Sequence, residues 1–173
     1  MRLFIAVRLS PGMEKAVAEL QDSLYRQGVR GNFPPPENLH VTLAFIGEYP
    51  DPDAVLDAME TVDFAPFPLE LSGVGRFGDL WWAGLSESPA LADTVRRLRK
   101  ALAEAGIPFD RKKFSPHITL GRKLRFPDEN RIPGPPRKAG MTVDKLSLME
   151  SVRGKNGMIY TEIGFVPAKE GKE

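Results

Sequence analysis

His40 and His117 are the only two histidines of the chain, and each opens the same four-residue pattern: His40-Val41-Thr42-Leu43 and His117-Ile118-Thr119-Leu120. An imidazole changes charge near neutral pH, so two of them across one site can act as base and acid in a single turnover. On a strand, residues i and i+2 project to one face. Each pattern therefore offers one imidazole and one hydroxyl side by side, while Val41, Leu43, Ile118 and Leu120 turn to a core. This suits phosphodiester cleavage: a neutral histidine takes the proton of attacking water and a protonated one delivers a proton to the leaving alkoxide. The hydroxyls of Thr42 and Thr119 would hold the non-bridging oxygens. By strict alternation Ala44 and Gly121 come next on those faces, and their small size would leave space for a ligand. Two histidines, no cysteine and no H-E-x-x-H or H-x-H spacing give no metal-ligand set, so neither a metal nor a cofactor is expected.

Each pattern must be positioned by its surroundings, and these repeat as well. The two histidines are 77 residues apart, and so are Leu3 and Leu80, Ala6 and Ala83, and Tyr49-Pro50-Asp51 and Phe126-Pro127-Asp128. Ser10-Pro11 and Ser88-Pro89 read as an N-cap followed by proline at the first helical position. The helices they open place Met13, Val17, Leu20 and Leu24 on one stripe and Leu91, Val95, Leu98 and Leu102 on the other. Both are expected to stop at a glycine, Gly28 and Gly106, suited to a left-handed C-cap. Asp51-Pro52 starts a third helix with Val55 and Met59 on one face. Alternation predicts strands over Phe67 to Val74, Thr142 to Met149 and Met158 to Val166. Pro127 to Gly140 reads as a long loop. Two halves of strand, helix, strand, strand predict an α+β fold: two antiparallel sheets with helices outside and a central cleft on a pseudo-two-fold axis. The expectation is one domain, 1–173, with lobe cores at about 1–76 and 80–166 and strands exchanged between the lobes.

Composition narrows the function. At 173 residues with 42% hydrophobic residues the chain can bury a core, and a net charge of +1 excludes a nucleic-acid clamp held by charge alone. The absence of cysteine removes disulfides, thiol nucleophiles and iron–sulfur sites. The apolar start Leu3-Phe4-Ile5-Ala6-Val7 is too short for a signal or a membrane span, so a cytoplasmic protein with no membrane partner is expected.

With Met1 to Val7, His40-Val-Thr-Leu-Ala-Phe-Ile-Gly47 and Ser115-Pro-His-Ile-Thr-Leu-Gly-Arg122, the chain resembles the 2H phosphoesterase superfamily over essentially its whole length. Within it, the resemblance is to the RNA 2',3'-cyclic phosphodiesterases, also called 2'-5' RNA ligases. The resemblance implies a duplicated bilobal fold and hydrolysis of an RNA terminal 2',3'-cyclic phosphate to a 2'-phosphate. It implies His40 as general acid, His117 as general base, and Thr42, Thr119 and Arg122 as substrate-binding residues. The partners it implies are RNA 3' ends carrying a cyclic phosphate, or small cyclic nucleotides; a monomer is expected. The alternatives are 2'-5' RNA ligation, the reverse reaction through the same residues, and a module that binds nucleotide phosphate without chemistry.

Further residues have a functional and a structural reading. Strict alternation sends Arg122 away from His117, and it reaches the site only if Gly121 bulges the strand. Arg111-Lys112-Lys113 reads equally as a phosphate-steering run or a solvated turn. Trp81, Trp82, Phe33 and Phe114 could include a base-stacking platform, though Trp81 and Trp82 face opposite ways. Pro34-Pro35-Pro36 is expected to stiffen the approach to His40.

Overall fold

A computed structural model describes residues 1–128 and 137–169. Among these residues nine strands and three α-helices follow one another as β1 (Arg2–Arg8), α1 (Pro11–Arg26), β2 (Arg30–Asn32), β3 (His40–Glu48), α2 (Pro52–Glu60), β4 (Phe67–Phe77), β5 (Leu80–Leu85), α3 (Pro89–Glu104), β6 (His117–Arg125), β7 (Gly140–Val143), β8 (Lys145–Gly154) and β9 (Gly157–Pro167). A single 3-10 turn, Pro36–Asn38, precedes β3.

The helices begin and end as the repeat requires. Ser10 Oγ accepts from the Met13 N–H at 3.2 Å and Ser88 Oγ from the Leu91 N–H at 3.1 Å, each ahead of a proline. At the other ends, Gly28 (φ 96°) and Gly106 (φ 73°) take the left-handed conformation. Two hydrogen bonds close each helix there in matching pairs: Gly28 to Tyr25 and Val29 to Leu24, then Gly106 to Ala103 and Ile107 to Leu102. The four apolar residues expected on each stripe are all buried. At about 1.5–3 kcal/mol per large apolar side chain removed from water, these stripes fix the helices against the sheet. The third helix starts as expected, with Asp51 Oδ1 accepting from the Ala54 N–H at 3.1 Å.

The strands lie in the order β7-β4-β5-β6-β3-β1-β8-β9, every pairing antiparallel, with β2 added beside β6. The two expected sheets are joined, since β3 and β6 meet at one register pair, Val41 with Ile118. The strand expected over Thr142 to Met149 is divided at Asp144: β7 pairs with β4, and β8 with β1 and β9. A single intervening residue spans only a few ångströms, about 3.8 Å per Cα step. Strands so far apart in the order can be joined by it only because the sheet curls round on itself. Of the expected loop Pro127 to Gly140, residues 129–136 lie outside the described residues.

One face of this sheet carries the main core with residues of all three helices. The other carries a small separate cluster of Phe4, Ala6 and Met149, with Tyr160 packed on it. No helix among the described residues is long and apolar enough to cross a membrane.

Candidate active site

His40 and His117 open β3 and β6, one residue away from the single pair that joins these strands. Their side chains leave the sheet on the face away from the helices, because Val41 and Ile118 are fully buried in the main core. Each imidazole is held by the carbonyl two residues earlier: His40 Nδ1 lies 2.7 Å from Asn38 O, and His117 Nδ1 lies 2.7 Å from Ser115 O. A carbonyl can only accept, so each Nδ1 carries a proton and each neutral ring keeps Nε2 for chemistry. Asn38 is itself buried and tied across the sheet, its side-chain Nδ2 donating to Met158 O of β9 at 2.9 Å.

His40 Nε2 stands 2.8 Å from Thr42 Oγ1, the side-by-side imidazole and hydroxyl that strand alternation requires. The His40 ring packs 5.0 Å from Phe4 and 5.4 Å from Tyr160, centroid to centroid. His117 has its own aromatic neighbours, Phe77 at 5.6 Å and Trp82 at 6.4 Å. Burial pushes the basicity of His40 below the ordinary imidazole value, against the raising effect of the Asn38 carbonyl. Electrostatic coupling to His117 and then the Arg122 charge lower it further. Both groups are therefore electrostatic neighbours of His40, and the structure brings the two histidines and Arg122 together.

Arg122 reaches this face through a bulge. β5 pairs Trp82 with Thr119 but Trp81 with Gly121, leaving Leu120 as an extra residue in β6. Gly121 permits the close approach of β2 that follows, since an added Cβ would meet Leu124 at 2.7 Å and Asn32 O at 3.1 Å. The same bulge recurs in β3, where β1 pairs Ala6 with Thr42 but Ile5 with Ala44, leaving Leu43 extra. Both strands accordingly begin with one burial sequence, in which the fourth and fifth residues are both buried. The expectation for Ala44 and Gly121 is corrected by this: the bulge reverses alternation, and Ala44 packs in the main core instead of lining the site. Phe45 takes the face position in β3 that Arg122 takes in β6. The bulge carbonyls are satisfied from the helices: Leu120 O accepts from Gln21 Nε2 at 3.0 Å, and Leu43 O from Arg99 Nε and Nη2 at 3.3 and 3.2 Å. Burial makes Arg99 harder to keep charged, and the nearby Asp110 carboxylate counters that.

Of the four aromatic residues in the expected platform, only Trp82 borders His117. Trp81 turns to the core side against Phe126 at 4.9 Å, and Phe33 and Phe114 also pack on the core. Arg111-Lys112-Lys113 forms a tied turn, Lys112 N–H donating to Asp110 Oδ1 and Lys112 O accepting from Arg99 Nη1. The proline run is anchored, with Pro34 O accepting from Gln21 Nε2 at 3.0 Å. Sequence reasoning missed Phe4, Tyr160, Phe77, Asn38, Gln21 and Arg99. For Gln21 and Arg99 a signal existed: a polar residue beside the apolar stripe at the same place in both helices.

A duplicated sheet with a His-x-Thr pair at the start of each central strand is the arrangement of a 2H phosphoesterase, and the chain belongs to the 2'-5' RNA ligase superfamily, whose family model matches residues 9–155. It is 33% identical to the RNA 2',3'-cyclic phosphodiesterase of Thermus thermophilus over 93% of this chain and 87% of that one. It is 30% identical to the enzyme of the same description from Archaeoglobus fulgidus, over 94% of this chain and 98% of the relative. The crystal structure of TT0787 of Thermus thermophilus superposes with a TM-score of 0.84 at 30% identity, covering 99% of this chain and all of that one. Apo LigT of E. coli shares the fold, with a TM-score of 0.84 at 24% identity, covering 98% of each chain.

Proposed function

We propose that this protein hydrolyses the terminal 2',3'-cyclic phosphate of RNA to a 2'-phosphate without a metal ion, with His40 as general acid and His117 as general base. The observation that carries the reading is the pair of imidazoles, each locked with its Nδ1 on a carbonyl, on adjacent strands of one face. Support comes from relatives named RNA 2',3'-cyclic phosphodiesterase that match nearly the whole chain. In the reaction, Nε2 of His117 takes a proton from water as its oxygen bonds to phosphorus. The P–O3' bond breaks, Nε2 of His40 gives its proton to O3', and phosphate stays on O2'. Thr42, Thr119 and Arg122 bind the phosphate, whose negative charge opposes the burial and the neighbouring charge that lower the basicity of His40.

The family model's description makes ligation the second reading: by microscopic reversibility the same residues would join a cyclic phosphate to a 5'-hydroxyl. Water at about 55 M against dilute RNA favours hydrolysis by mass action. We read the chain as one domain of two lobes, with β4 and β7 beside β5 in the second lobe and β8 and β9 beside β1 in the first. Its partners are RNA 3' ends or small cyclic nucleotides, and we place it as a monomer in the cytoplasm. Sedimentation at working concentration tests the oligomeric state.

The test of function is incubation with a short RNA ending in a 2',3'-cyclic phosphate, in EDTA, for the native chain, His40→Ala and His117→Ala. A 2'-phosphate product from the native chain, reduced by about 10²–10⁴ in each variant, is the expected result. Product that vanishes on chelation and returns with a divalent ion overturns the metal-free mechanism.

A further inference from the structure

Arg122 is not the last cation that β6 turns to the face of the histidines. A second bulge follows the first: β2 pairs Asn32 with Arg122 but Arg30 with Arg125, so Lys123 and Leu124 together stand opposite Gly31. Residues two apart on β2 share a face, and so do the two arginines opposite them, while Leu124 drops into the main core. One face of β6 therefore presents His117, Thr119, Arg122 and Arg125 in a row. Lys123 turns the bulge at φ 54°, the one residue other than glycine with a positive φ among the described residues, a conformation that crowds an L side chain. Across from it an added Cβ at Gly31 would come within 2.6 Å of Lys123 O, so the pairing that sets this bulge needs a glycine in β2.

These cations are uncompensated. Arg122, Lys123 and Arg125 are all exposed, and none of them forms an ion pair among the described residues. Arg30, opposite Arg125, is engaged: it donates to Tyr25 O and Val29 O and lies 3.8 Å over the Tyr25 ring. The matching stretch of the first half has no such row. There too a second bulge follows, Phe4 pairing with Phe45 but Leu3 with Gly47, which leaves Ile46 extra. Phe45 and Glu48 then hold the places that Arg122 and Arg125 hold in β6, and the cations beside them are engaged. The N-terminal ammonium lies 3.3 Å from the Glu48 carboxylate, and Arg2 lies 5.4 Å over the Phe45 ring.

We propose that Arg125, with Lys123 beside it, seats the phosphodiester that joins the terminal nucleotide of an RNA to the rest of the strand, which leaves the cyclic phosphate along β6. The proposal rests on the substrate class given above. Arg122 and Arg125 stand opposite residues two apart on β2, a rise of about 7 Å, which is the step between successive phosphates of an extended single strand. With Arg122 on the cyclic phosphate, Arg125 meets the next charge along. A nucleoside cyclic phosphate lacks that charge, so the subsite favours RNA ends over mononucleotides, and a backbone contact does so without selecting among sequences.

The experiment compares adenosine 2',3'-cyclic phosphate, the dinucleotide ApA ending in a 2',3'-cyclic phosphate, and the same dinucleotide with an uncharged methylphosphonate link, on the native chain, Arg125→Gln and Arg125→Lys. Arg125 is exposed, so these substitutions leave the fold intact. Arg125→Gln is expected to raise KM for the charged dinucleotide about tenfold, with kcat changed less than about twofold and KM for the other two substrates unmoved, while Arg125→Lys keeps most of the native affinity. The slope of log KM against log salt for the charged dinucleotide falls by about 0.7 in Arg125→Gln. An unchanged KM for the charged dinucleotide, or an equal rise for all three substrates, overturns the subsite. If the native chain turns over none of them, the reading of its activity fails and calorimetry with ApA carrying a 3'-phosphate, against 3'-AMP, decides the subsite. About tenfold weaker binding of that dinucleotide by Arg125→Gln, with 3'-AMP unchanged, supports it. No loss, or no binding of the dinucleotide by the native chain, overturns it.

Discussion

Gln21 and Arg99 occupy matching places in α1 and α3, eleven residues after Ser10 and Ser88, and each side chain donates to the bulge carbonyl of the other half's histidine strand. Gln21, in the first half, holds Leu120 O of β6; Arg99, in the second, holds Leu43 O of β3. The bulges return Arg122 and Phe45 to the site face, so these crossed bonds lie one step behind the chemistry.

Gln21→Leu keeps the volume and removes both donors, leaving Pro34 O and Leu120 O without this partner. A stability loss of about 1–3 kcal/mol is expected, read as the denaturant midpoint. Arg99→Met is expected to lose a similar amount. If Gln21→Leu is as stable as the native chain, the Leu120 carbonyl does not depend on this amide.

Thr42→Val removes the hydroxyl 2.8 Å from His40 Nε2 while keeping a β-branched strand residue. On the reading above, kcat/KM for a cyclic phosphate falls by about 10- to 100-fold, the loss of one hydrogen bond to a charged group. Circular dichroism checks that the fold is unchanged. Native activity in this variant would remove Thr42 from phosphate binding.

The pH dependence of stability follows from the lowered basicity of His40. In the unfolded chain this imidazole takes a proton as pH drops through about 6.5, while in the folded protein burial and the nearby cations delay it. The unfolded state then binds more protons, so the fold loses stability as pH falls below about 6.5, and the loss levels off once the folded imidazole also protonates. Melting temperatures measured from pH 8 down to 5 check this, and His40→Gln is expected to flatten that part of the curve.

Arg122 contributes to the same lowering, so Arg122→Gln is expected to raise the pH at which His40 releases its proton. With His40 as the acid, the alkaline limb of kcat/KM for the variant moves to higher pH even as its height falls. An NMR titration of the His40 ring gives the same shift without turnover. No upward movement would show that the Arg122 charge is not felt at His40.

How much of this could be read in the sequence differs by residue. The helix caps, stripes and histidine strands were legible because serine, proline, glycine and apolar spacing act locally, and the repeat supplied a second copy of each. Arg122 was legible as a residue but not as a direction: a bulge adds one residue without changing the pattern of types, and it also sent Ala44 into the core. The break at Asp144 went unseen because alternation runs through it; only pairing partners distant in sequence separate β7 from β8. Backbone groups carry no letter of their own, so the Asn38 and Ser115 carbonyls that orient the histidines were invisible. Phe77 and Tyr160 reach the site from strands whose neighbours are set by the curl of the whole sheet.

The single rung between Val41 and Ile118 would be a poor hinge pin by itself. Crossed ties make up for it, as diagonals stiffen a frame that has one bolt at its centre: the helix of each half grips the strand of the other, and neither half can swing away without releasing a bond that belongs to both. The spacing between the histidines is therefore a property of the whole chain, and the two halves should melt in one transition.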